Sequence, residues 1–119
     1  MEEESSSEGS SSRANLKNAD ALELGGNITL KGFSELDGAS MIVLKKIVGS
    51  YVKKITETTP GFENITLTMK SVHKKEDSEK FEVHGKLIAK GKIHNAEITD
   101  RNLFFSVDRV LKKLEAEIS

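Results

Sequence analysis

FENITLTMKSVHKKEDSEKFEVHGKLIAKGKIHNAEIT, residues 62–99, decides the fold. Ile65, Leu67 and Met69 alternate with Thr66, Thr68 and Lys70, the period of two that marks a half-buried strand. KEDSE at 75–79 is a charged hairpin loop, after which Phe81, Val83 and Leu87 point one way and Glu82, His84 and Lys86 the other. Lys90-Gly91 makes a second tight turn, and KIHNAEIT forms a third strand whose register the sequence leaves open. Three strands joined by short connections are antiparallel neighbours, with one face wet and one face dry.

The dry face needs cover, and the flanking segments supply it. Downstream, Asn102 is a good N-cap for NLFFSVDRVLKKLEAEI, in which Leu103, Phe104, Val107, Val110, Leu111, Leu114 and Ile118 cluster within about 120° of arc. Upstream, the period is again 3.6 from Asp37, a plausible N-cap, to Thr58. Met41, Leu44, Val48, Tyr51, Val52 and Ile55 fall within about 100° there, and Pro60-Gly61 stops the helix. Gly49 in its middle is expected to mark close packing on the sheet. NITLKGF, 27–33, alternates as a further strand. The order β-α-β-β-β-α predicts an α+β two-layer sandwich, a four-stranded sheet with two helices on one face.

Before this domain the composition changes. Residues 1–24 carry Glu2, Glu3, Glu4, Glu8, Asp20 and Glu23 against Arg13 and Lys17, a balance of −4, whereas residues 25–119 carry +3. The reading is an acidic, Ser/Glu-rich flexible tail over 1–24, with a weak helical turn around Leu16, Ala19 and Leu22, joined to a single domain over 25–119. The tail is a solvated appendage, or a regulatory one through phosphorylation of Ser5–Ser7. The net charge of −1 therefore hides a mildly basic domain. Cys is absent and no apolar run reaches the ~18 residues of a membrane span, so a cytoplasmic protein is expected.

The chemistry on offer is positive charge. Lys45, Lys46, Lys53 and Lys54 lie away from the apolar stripe of the first helix, and no acid occurs between Gly38 and Thr56. On the last helix Arg101, Arg109, Lys112 and Lys113 face away from the core, with Phe105 between Arg101 and Arg109 at one-turn spacing. Side by side, the two polar faces would make one basic surface, the footprint of a phosphate-backbone binder, with Phe105 placed to stack on a base. Solvation of the lysines, and a covering role for Phe105, are the plainer alternatives. His73, His84 and His94 share no i,i+2 or i,i+4 spacing, so no metal site and no cofactor are expected. No phosphate loop, dinucleotide fingerprint or catalytic triad occurs, so no enzyme and no small-molecule substrate are expected either.

The pattern resembles the ribosome hibernation-promoting factor / ribosome-associated inhibitor A family in its short form. In NLFFSVDRVLKKLEAEI, Asn102 stands where that family has Asp, Phe104 where it has Tyr, Val107-Asp108 where it has Ile-Asp, and Lys113-Leu114 where it has Lys-Leu. Phe105-Ser106 replace its Ala-Ala pair. ITLTMKSVHK and KFEVHGKLIAKGKIHNAEI are similar to its strand–hairpin–strand region, and the likeness spans roughly residues 27–118. The resemblance implies a double-stranded-RNA-binding-like fold. It also implies a stress-response factor that binds rRNA of the small ribosomal subunit and inhibits translation by occlusion, with no DNA or membrane partner. Lys45, Lys46, Lys53, Lys54, Arg101, Arg109, Lys112 and Lys113 would pair with phosphates, and Phe105 would stack. The alternative is a non-enzymatic protein-interaction module of the same fold with no ribosome binding.

Overall fold

The computed structural model describes residues 21–24, 27–72 and 79–118. In chain order they form β1 (Ala21–Leu24), β2 (Ile28–Lys31), α1 (Gly38–Thr58), β3 (Phe62–Val72), β4 (Lys80–Ala89), β5 (Lys92–Asp100) and α2 (Leu103–Ile118). The strands make one sheet in the order β1-β2-β3-β4-β5. β2 and β3 run parallel, as a strand–helix–strand crossover through α1 requires, and the other neighbours are antiparallel.

The expected β-α-β-β-β-α order and the antiparallel meander are present. The β4–β5 hairpin turns at Lys90-Gly91, both in the left-handed region at φ 53° and 73°. Two consecutive positive φ values are those of the turn whose twist matches paired strands. That turn locks a register without a slip from Phe81↔Asp100 to Ala89↔Lys92. Of the expected charged hairpin loop between β3 and β4, only Glu79 lies within the described residues, as does neither His73 nor the stretch before Ala21.

Two expectations are corrected. The sheet has five strands among the described residues, because Ala21–Leu24 is a strand and not part of a helical turn. Ala, Leu and Glu are all good helix formers, but Leu22 and Leu24 face Leu30 and Ile28 across an antiparallel ladder, and that tertiary pairing outweighs local propensity. Gly49, in turn, is not at a close approach: a Cβ built there meets nothing within 4 Å.

Both helices lie on one face of the sheet and share its core. Leu44, Val48, Val52 and Ile55 of α1 join Ile28, Leu30, Ile65, Leu67, Val83 and Leu87 from the strands and Val107, Val110, Leu111 and Leu114 from α2. The close approach that glycine permits is at Gly85 on β4, where a Cβ would stand 2.5 Å from Val110 Cγ1 and 2.8 Å from Leu114 Cδ1. Gly85 thus sets how near α2 comes to the sheet. The opposite face carries cross-strand rows of polar side chains: Lys70–Glu82–Thr99, Lys31–Thr68–His84–Glu97 and Thr29–Thr66–Lys86–Asn95. No helix among the described residues is long and apolar enough to cross a membrane.

Candidate nucleic-acid interface

The outer surface of the helix layer begins with two N-caps. Asp37 Oδ1 accepts the Ser40 backbone N–H at 2.7 Å, and this bond holds the Asp37 carboxyl below its ordinary range. At α2 the Asn102 N–H donates to Asp100 Oδ2 at 2.8 Å while Asn102 Oδ1 accepts from the Phe105 N–H at 3.0 Å. The start of α2 is therefore held on both sides of its cap, which fixes the rotation at which Phe105 and Arg109 emerge.

All nine residues singled out in the sequence are solvent-exposed: Lys45, Lys46, Lys53, Lys54, Arg101, Phe105, Arg109, Lys112 and Lys113. Their surroundings divide them. Along the seam between the helices Tyr51 Oη donates to Asp108 Oδ1 at 2.9 Å, and Lys54 Nζ lies 2.8 Å from Glu115 Oε2. Lys112 Nζ lies 3.3 Å from Asp108 Oδ2. Burial together with Asp108 pushes the Tyr51 phenol up to about 12. The two helix faces are thus joined across a seam holding two carboxylates, which engage Lys54 and Lys112. Lys45, Lys46, Lys53, Arg101 and Lys113 have no ion pair with any other described residue. Their charge is available to an outside anion.

Phe105 remains 48% exposed, and the Arg109 guanidinium carbon sits 5.6 Å from its ring centroid. One turn of helix brings these two together, as the i,i+4 spacing predicts, into a cation–π pair. The structure shows no such contact for Arg101. The pair offers a planar, positively charged step of the kind that unstacked bases occupy.

Near the start of α1, Ile42 and Val43 are 57% and 43% exposed. The sequence signal for them is their position outside the apolar arc of the helix, next to Lys45 and Lys46. The two described histidines lie on different faces. His94 Nδ1 is 2.8 Å from Glu117 of α2, on the helix side, whereas His84 on the open face stands between Glu82 and Glu97.

With that geometry in place, the chain can be set beside known proteins. Among solved structures it is similar to a ribosomal subunit interface protein from Coxiella burnetii, with a TM-score of 0.54 and 20% identity, over 77% of this chain and 90% of that one. The likeness is one of fold. No family model matches the sequence, and no curated protein matches it either.

Proposed function

We propose that this chain is a cytoplasmic, non-enzymatic ribosome-associated factor that binds rRNA of the small subunit and inhibits translation by occlusion. Lys45, Lys46, Lys53, Arg101, Arg109 and Lys113 would meet phosphates, Phe105 would stack, and Lys54 and Lys112 would serve once released from Glu115 and Asp108. The observation that carries this reading is the set of exposed cations without acidic partners, gathered on the helix layer of a fold shared with a ribosomal subunit interface protein. Phosphate pairing needs charge that is not already neutralised, and that is what α1 and the outer side of α2 present.

The test is co-sedimentation with small subunits through a gradient at rising salt. If those six cations each release about 0.7 of a counterion, the logarithmic salt slope is about −4, and binding falls roughly two orders of magnitude between ~50 and ~200 mM. Recovery of the protein only in the ribosome-free fraction at low salt sinks the proposal. A second reading has its own observation, the exposed Ile42 and Val43 beside the α1 lysines. They suit a protein partner better than RNA. Ribosome association that persists at high salt, and is lost in Ile42→Ser/Val43→Ser, would favour that reading.

A further inference from the structure

A different chemistry occupies the open face of the sheet, on the side away from the helices. Glu82 and His84 are two residues apart on β4, so both project from that face, and the register places Glu97 of β5 directly across from His84. Each of the three offers a ligand atom, and these atoms lie within 4.8 Å of one another. His84 Nε2 is 3.3 Å from Glu82 Oε2, and its Nδ1 is 3.7 Å from Glu97 Oε1. Two carboxylates this close repel each other unless a proton or a cation is shared between them. A divalent cation between them relieves that repulsion and takes the imidazole as a further donor.

We propose that Glu82, His84 and Glu97 form a binding site for a divalent transition-metal ion of the zinc type, through one carboxylate oxygen from each glutamate and one imidazole nitrogen. Mixed imidazole and carboxylate donors suit zinc, whereas calcium and magnesium take all-oxygen sets with more ligands. Three protein ligands leave a fourth tetrahedral position for water or an incoming donor. The ligands stand mid-strand on an unbroken antiparallel hairpin, so the backbone holds them in place before metal arrives. A shallow groove of about 480 Å³ beside them, lined by Lys31, Thr66, Thr68, Lys86 and Asn95, leaves the ion accessible. The site does not depend on the RNA-binding reading, since it lies on the other face of the sheet.

The experiment titrates the full chain with Zn²⁺ against a competing chromophoric chelator, and separately with Co²⁺, whose visible absorption reports four-coordinate binding. One equivalent bound by the wild type, with losses of roughly ten- to a hundred-fold in affinity for each of Glu82→Gln, His84→Gln and Glu97→Gln, is the expected result; even outer partners of metal sites cost that much when removed. His94→Gln should leave affinity unchanged, since His94 faces a single carboxylate on the helix side. His73 is retained in every variant, so any binding there cancels. Wild-type affinity no higher than that of His84→Gln, or an equal loss in His94→Gln, overturns the site and leaves His84 as a polar neighbour of two glutamates. The substitutions are near-isosteric and on the solvated sheet face, and an unchanged circular dichroism spectrum shows that each variant is folded.

Discussion

Two glycines test the packing in opposite directions. Gly49 lies inside α1 with open space where a Cβ would go, so Gly49→Ala should stabilise the domain by roughly 0.5–1 kcal/mol by relieving the entropic cost of glycine in a helix. Gly85→Ala should do the reverse by about 1–3 kcal/mol, because the stiff Val110 side chain cannot move off the new methyl without shifting α2. Urea unfolding of both variants reads the signs, and stabilisation by both would mean that α2 does not rest on Gly85. Tyr51, the chain's one tyrosine, gives a pH prediction that phenolate absorbance can isolate. Its folded value is raised from 10.0 to about 12. The protonated phenol is therefore favoured in the folded state: the stabilisation is fully present below pH 10 and is lost as pH rises through 12. Tyr51→Phe should flatten the fall in stability over that window, and an unchanged slope would show that burial and Asp108 together do not hold the phenol up in solution. None of this could be read from the sequence. A lone glycine in a helical pattern signals either packing or nothing, and Tyr51 belongs to the apolar arc by period alone.

The helices were legible because each carries its own punctuation. Asp37 and Asn102 cap as their residue types predict, and the stripes of α1 and α2 fall on the core. The place of the β4–β5 turn was legible too, but the register was not: it follows only from the two-residue turn that Lys90-Gly91 makes, which pairs positions summing to 181. The same arithmetic sets Glu97 opposite His84. The cluster proposed to bind metal follows from that spacing of histidine to glutamate across the hairpin, whereas histidine-to-histidine spacing carries no sign of it. β1 was not legible, since four residues of good helix formers become a strand only through pairing with β2 further along the chain. Nor was the acid-bearing seam, which depends on the rotation of α2 against α1. Asn102→Ala tests whether the cap sets that rotation. Loss of the Phe105 N–H acceptor should cost about 1 kcal/mol in stability. It should also raise hydrogen exchange across the first turn of α2, where Phe105 lies. Exchange confined to wild-type levels would mean that Asp100 alone anchors the helix.

At the scale of the whole molecule the two faces of the sheet divide the chemistry. The helix layer presents Lys45, Lys46, Lys53, Arg101 and Lys113, while the open face presents Lys31, Lys70 and Lys86, likewise without an ion pair among the described residues, amid threonines, the two glutamates and His84. Generic attraction to RNA and a defined interface therefore make different predictions, because charge can be reversed on either face without changing the total. Lys45→Glu/Lys53→Glu alters two exposed lysines of α1 that have no described acid to lose. Lys31→Glu/Lys86→Glu makes the same change in net charge on the far side. With a helix-borne interface, the first pair should weaken small-subunit binding by at least tenfold and lower the salt slope by about 1.4, two counterions' worth at ~0.7 each. The second pair should change affinity by less than about threefold, since interactions of exposed charges across the domain exceed the ~8–10 Å screening length near physiological salt. Equal losses from the two pairs would show that the protein responds to RNA as a diffuse charge. The lysine-rich face of α1 would then be a means of staying dissolved and not a binding surface.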